Sequence, residues 1–143
     1  MLIPDVNILV YAHNSRARQY ETARQWWERA LTEIRPVGMA WVTILGFIRI
    51  STHRGILANP MPVEDALGRV RTWLRHPRVE LLTPGDRHAE ILFGFLEHLG
   101  TAGDLTTDAH LAALAIEYQA ELVSTDADFS RFPGLRWFNP LAQ

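Results

Sequence analysis

Short apolar runs alternate along this chain with stretches in which apolar residues return every three or four positions, the periods of buried strand and amphipathic helix. Leu2-Ile3 predicts a short strand ending at Pro4-Asp5, and Asn7 to Tyr11 predict the start of a helix. Residues 18–33 predict a helix with Tyr20, Ala23, Trp26 or Trp27, and Ala30 along one face. Residues 37–40 predict a second strand, running into a helix over 42–52. Two more helices are predicted over 63–74 and 86–99, the second with Ile91, Phe95 and Leu99 one turn apart. The clearest helix covers 106–119, where Leu111, Leu114, Ala115 and Tyr118 form an i, i+3, i+4, i+7 stripe. Residues 121–124 then predict a strand and 136–138 a short edge strand. Without repeat, linker or low-complexity tract, this alternation predicts a single α/β domain over residues 1–143, a sandwich around a mostly parallel sheet.

Composition narrows the chemistry. Hydrophobic residues make up 48% and charged residues 21%, enough for a packed core. Cysteine is absent, which removes disulfides, thiol nucleophiles and thiolate metal sites. All 14 basic residues are Arg, so mechanisms built on a lysine amine, the P-loop included, are excluded. The longest apolar stretches fall well short of the roughly 20 residues of a membrane span. Met1 to Asp5 has no basic head before its apolar run, unlike a signal peptide. The expectation is a cytoplasmic domain with no membrane association. A net charge of −2 excludes gripping nucleic acid through bulk positive charge. Arg69, Arg71, Arg75 and Arg78 cluster, but Arg71, Arg75 and Arg78 at helical spacing read as one solvated face; Trp26, Trp27 and Trp73 read as core or interface before base-stacking platforms.

The seven Asp residues are placed with more order. Asp5 follows the first strand, Asp126 and Asp128 follow the Leu122-Val123 strand, and Asp108 stands in the first turn of the 106–119 helix. Open parallel sheets form their sites beyond the carboxyl ends of the strands and at helix N-termini, so three segments deliver an acid to one edge. Each has a plainer use: Asp128 as a cap for Phe129-Ser130-Arg131, Asp108 as a complement to the helix dipole. Asp5 is harder to dismiss, because a buried carboxylate amid Leu2, Ile3, Val6 and Ile8 is costly unless paired or bound to a cation. Converging carboxylates repel unless protonated or bridged, and an all-oxygen set favours Mg²⁺ or Mn²⁺ over Zn²⁺. The six His residues show no ligand-like pairing, and His110, two past Asp108, points elsewhere on a helix. Such an ion keeps positions for water and phosphate, as phosphodiester cleavage requires.

These residues resemble a known family. Ile3-Pro4-Asp5-Val6-Asn7-Ile8-Leu9-Val10-Tyr11-Ala12 is similar to the opening of PIN-domain proteins. The run Thr107-Asp108-Ala109-His110-Leu111 is similar to their third acidic motif, and Ser124-Thr125-Asp126-Ala127-Asp128-Phe129 with Asn139-Pro140-Leu141 to their last. The run from Trp41 to Ile50 further resembles the VapC toxins of type II toxin–antitoxin pairs. The resemblance spans nearly the whole chain. It implies a PIN-like α/β/α sandwich, Mg²⁺-dependent cleavage of RNA with Mn²⁺ as substitute, a homodimer, and inhibition by a VapB-type antitoxin. By match, Asp5 and Asp108 are metal ligands, and Asp126 a third acid, direct or through water. Asn7 and Thr125 match polar positions that orient the carboxylates, with Asp128 beside them. Arg49 matches a basic position facing phosphate or antitoxin, its alternative being an ordinary helix-surface charge.

One position departs from the pattern: where PIN domains commonly carry a Glu after the second strand, this chain has Gly46, and no acid lies between Trp41 and Ile50. That predicts one bound ion rather than two, unless Asp104 adds an oxygen; Gly103-Asp104 reads more simply as loop. Haloacid-dehalogenase-like phosphatases and response-regulator receivers also place Asp after a first strand. The former need a second Asp where Asn7 stands, and both rely on Lys, which is absent. The stronger rival is a binding module that keeps the fold without the chemistry.

Overall fold

The computed structural model describes residues 1–142. Five strands, β1 (Leu2–Pro4), β2 (Val37–Ala40), β3 (Val79–Leu82), β4 (Glu121–Val123) and β5 (Trp137–Phe138), form one sheet in the order β3-β2-β1-β4-β5. Every pairing is parallel, with Leu2 opposite Val37 and Glu121, and Val123 opposite Phe138. Among the described residues six α-helices connect them: α1 (Val6–His13), α2 (Tyr20–Ala30), α3 (Trp41–Ser51), α4 (Val63–Arg75), α5 (His88–Leu99) and α6 (Thr106–Glu117).

Alternation along β1 divides the core. Leu2 joins Ile8, Leu9, Trp26, Trp27, Phe47 and Trp73 in one cluster, fed by α1 to α4. Ile3 joins Phe95, Leu111, Leu114 and Phe129 in the other, fed mainly by α5 and α6. A sheet buried on both faces needs continuous apolar strands, and β1, β2 and β4 supply them. The result is an α/β/α sandwich. Strand order reverses between β1 and β4, so the crevice past their carboxyl ends is where an open α/β sheet builds its site.

Most predicted elements are present with shifted ends: α2 starts at Tyr20 rather than 18, and α5 at His88 rather than 86. One strand, β3, was not foreseen. It is an edge strand with Glu80 and Leu81 exposed, so it lacks the apolar run that marks its neighbours. The α6 stripe is wider than predicted, since Ala109, Ala112 and Ala113 are buried beside Leu111, Leu114 and Ala115. Tyr118 lies just past the helix end, 37% exposed, its hydroxyl donating to the Thr83 carbonyl at 2.9 Å. Trp26, Trp27 and Trp73 are core residues, while Arg69, Arg71 and Arg75 lie on an exposed face of α4. No helix among the described residues is long and apolar enough to cross a membrane.

Candidate active site

Asp5 closes β1 and caps α1. Its backbone N–H donates to the Val123 carbonyl at 2.8 Å, holding it to the neighbouring strand. Its Oδ1 accepts the Val6 N–H at 2.8 Å and its Oδ2 the Ser124 hydroxyl at 2.7 Å. The carboxyl is only 8% exposed, and burial pushes it above the ordinary carboxylate range against those two hydrogen bonds, with Asp126 adding to the rise. Asp108, in the first turn of α6, is half-buried and pushed up to about 6. Burial is the larger cause, followed by the charges of Asp5, Asp126 and Asp128. No ion pair among the described residues offsets them, and such a group costs stability when it ionises.

Asp5 and Asp108 line one small cleft of about 130 Å³, together with Val6, Val42, Thr43, Gly46, Arg49, Thr107 and Leu111. Asp126 and Asp128 do not line it. Asp126 caps the 3₁₀ turn Ala127–Arg131, accepting the Asp128 N–H at 2.9 Å, so the capping expected of Asp128 is done by Asp126. Asp128 is exposed, 4.0 Å from Arg131. Asn7 stands in the first turn of α1 and Thr125 between Ser124 and Asp126, both half-buried. The hydroxyl that reaches Asp5 is that of Ser124 rather than Thr125. Ser124 is fully buried, also accepts the Asp126 N–H at 3.0 Å, and is pinned by the Trp137 indole N–H on its carbonyl at 3.0 Å. Asp104 lies exposed in a 3₁₀ turn before α6, outside the cleft.

Two of the histidines join a hydrogen-bonded chain that the sequence does not show. His88 and His110 face each other, Nε2 to Nδ1, at 2.9 Å, and His88 Nδ1 lies 2.6 Å from Glu117 Oε1. The far Glu117 oxygen accepts the Gly85 N–H at 2.9 Å. The chain ties the β3–α5 turn to α6. It was invisible in sequence because its members lie 22 and 29 residues apart on two helices. As expected, His110 points away from the Asp108 cleft. No three Asp, Glu or His side chains among the described residues form a ready-made ligand cage. The donor set suits an ion that takes few protein ligands and keeps its waters, such as Mg²⁺.

The PIN domain family model matches residues 2–135. The chain belongs to the PIN domain family. Among its relatives, ribonuclease VapC33 of Mycobacterium tuberculosis is 46% identical over 143 residues, covering 100% of both chains. Ribonuclease VapC37 of the same organism is 44% identical over 142 residues, 99% of each. These full-length matches place the chain among the VapC proteins of that family. Solved structures share the fold at lower identity. VapBC2 of Rickettsia felis bound to a promoter DNA fragment has a TM-score of 0.69 at 20% identity, covering 96% of this chain and 97% of that one. Mycobacterium tuberculosis VapC20, a sarcin–ricin loop cleaving toxin, has a TM-score of 0.66 at 17% identity, covering 95% and 99%.

Against the PIN pattern, Gly46 is the informative position. A Cβ built there would stand 3.1 Å from Val6 Cγ2, closer than ordinary packing, so a side chain at this position would require Val6 to give by a few tenths of an ångström.

The raised carboxyls predict a measurable pH effect. Asp5 and Asp108 hold protons more tightly folded than unfolded, so the metal-free protein loses stability from these groups as pH rises above about 4, until Asp108 is ionised above about 6. His13 and His110 are held below their ordinary 6.5, mainly by burial, and act oppositely: stability from them is lost as pH falls below that value. A cation that binds only the carboxylates separates the two. The rise in Tm on adding Mn²⁺ is expected to be negligible at pH 4.5 and to grow to a plateau above about pH 7. Thermal melts with and without metal check it.

Proposed function

We propose that this chain is a Mg²⁺-dependent endoribonuclease, the toxin of a type II toxin–antitoxin pair, acting in the cytoplasm as a homodimer restrained by a VapB-type antitoxin. The observation that carries this reading is the cleft itself. Two carboxylates from segments about a hundred residues apart line it where the sheet reverses order, both raised by burial and by neighbouring acids, with no ion pair to either among the described residues. Membership of the VapC proteins supports RNA as substrate and an antitoxin as partner.

In this reading Mg²⁺, with Mn²⁺ as substitute, would be held by Asp5 and Asp108, with Asp126 acting through water. When bound, such an ion neutralises phosphate charge and lowers the pKa of water enough to make a nucleophile near neutral pH. The protein supplies the rest. Ser124 and the Val6 N–H take one lone pair from each Asp5 oxygen, which fixes the carboxylate plane and turns its remaining lone pairs to the cleft. Asp108 sits at the amino end of α6, where helix dipole and unpaired N–H groups favour negative charge, ready to be neutralised by a cation. Leu111, Val42 and Val6 make the apolar walls that keep bulk water from screening the site.

The test joins chemistry to physiology. Purified protein should cleave single-stranded RNA, lose all cleavage in excess EDTA and regain it with Mg²⁺ or Mn²⁺. Induction in a bacterial host should arrest growth, and co-expression of the paired antitoxin should release it. A folded protein that binds the antitoxin yet never cleaves RNA would leave the binding-module reading in its place.

A further inference from the structure

The wall of the cleft formed by α3 is chemically odd for a site built around a cation. Val42, Thr43, Gly46 and Arg49 face it at i, i+1, i+4 and i+7, one side of the helix. Thr43 spends its hydroxyl on the Pro4 carbonyl at 3.4 Å, and Gly46 presents backbone backed by Val6. The wall therefore carries no carboxylate, and its one charged residue is Arg49.

Arg49 is exposed and forms no ion pair among the described residues, although Asp5 and Asp108 line the same cleft. A cation and a pair of acids that line one cleft of about 130 Å³ without an ion pair between them together suit a ligand that is both anionic and able to share a metal. A backbone phosphodiester is such a ligand: one oxygen suits a hard cation on the acids, another the planar fork of an arginine.

We propose that Arg49 grips the RNA phosphate on the α3 wall and supplies there the positive charge that a second metal ion would otherwise bring. The assignment rests on the ribonuclease reading and deepens it. It accounts for two features together. Without an acid at position 46 a second ion lacks protein oxygens, and beside Arg49 it would meet a fixed like charge. Two-metal sites clamp the attacking and leaving oxygens between two cations; here one cation is part of the chain.

The experiment uses the full chain and a short single-stranded RNA. In EDTA, where RNA stays intact, fluorescence anisotropy gives binding against salt. Arg49→Gln should weaken binding and lower the slope of log affinity against log salt by about 0.7, the value of one phosphate contact on a single strand. Arg49→Lys should restore the slope, because charge suffices for that readout. With Mg²⁺, Arg49→Gln should lower kcat/KM roughly 10–100-fold, as expected for one charged hydrogen-bonding group, and Arg49→Lys should recover only part of it for want of the fork. Mn²⁺ titration followed by electron paramagnetic resonance should give one ion per chain in both wild type and Arg49→Gln.

Two ions bound to the wild type without RNA would overturn the assignment. So would an Arg49→Gln variant with unchanged salt slope and cleavage, or an Arg49→Lys variant that behaves like Arg49→Gln in the salt series. If Arg49→Gln cleaves normally but escapes the antitoxin, the residue belongs to that interface and the phosphate role is wrong. Asp108→Asn run alongside keeps the two levels apart. If it cleaves normally, the nuclease reading itself fails; if it is inactive while Arg49→Gln is not, only this inference fails.

Discussion

Asp108→Asn is expected to lower the RNA cleavage rate more than about 100-fold, beyond the 10–100-fold usual for groups that merely support a metal ligand. The amide keeps the shape and removes the charge, so the cation loses one of the two carboxylates that line the cleft. The fold should survive. The native carboxyl is already strained upward to about 6 by burial and neighbouring acids, so in metal-free buffer at pH 8 the variant should melt no lower than wild type. Asp5→Asn should lose activity as fully, though with some cost in stability, because Asp5 also caps α1 and accepts from Ser124. Ser124→Ala should fall between, with an approximately 10–100-fold loss and weaker Mn²⁺ affinity, since Ser124 only orients Asp5. Rate measurements at saturating metal, paired with circular-dichroism melts, check all three. An Asp108→Asn enzyme at wild-type rate would refute the assignment.

Trp73→Ala should be the most destabilising single change in the core. Trp73 is 3% exposed, with its ring 4.6 Å from Phe47, 5.3 Å from His13 and 5.9 Å from Trp27, centroid to centroid. It therefore joins α4 to α1, α2 and α3 at one point. Truncating a buried aromatic costs about 3–5 kcal/mol, which for a chain of this size lowers Tm by on the order of 10 °C. Arg71→Ala, two residues away on the exposed face of the same helix, should change stability by less than about 0.5 kcal/mol. Thermal melts at one protein concentration decide both. Equal effects would mean that the helix face has been misassigned.

The sequence determined the layers and the edge on which the acids lie. Period-two and period-3.6 patterns are local, so β1, β2 and β4 and all six helices were legible from residues a few positions apart. The strand–acid runs at Asp5 and Asp126, and the acid in the first turn of α6, were legible for the same reason. In an all-parallel sheet every strand end and every following helix start falls on one side. The apolar setting of Asp5 foretold a buried carboxylate, because such a charge needs a partner wherever the chain carries it.

Only the tertiary structure decided which acids share a cleft and which serve the backbone. The sequence offered Asp126 as a third acid of the site and Asp128 as a cap, yet Asp126 caps the turn and Asp128 faces solvent. Ser124 was passed over in favour of Thr125 because one residue along a strand end reverses the side to which a hydroxyl points, and register settles that choice. β3 escaped notice because an edge strand is held by backbone pairing with β2, which carries no hydrophobic signature. The Glu117–His88–His110 chain needed α5 and α6 side by side. The sequence showed that an acid is missing at Gly46, but only the tertiary structure sets Val6 close against that position and leaves Arg49 as the charge on that wall. Short-range pattern writes the elements. The pairing of surfaces distant in sequence writes the site.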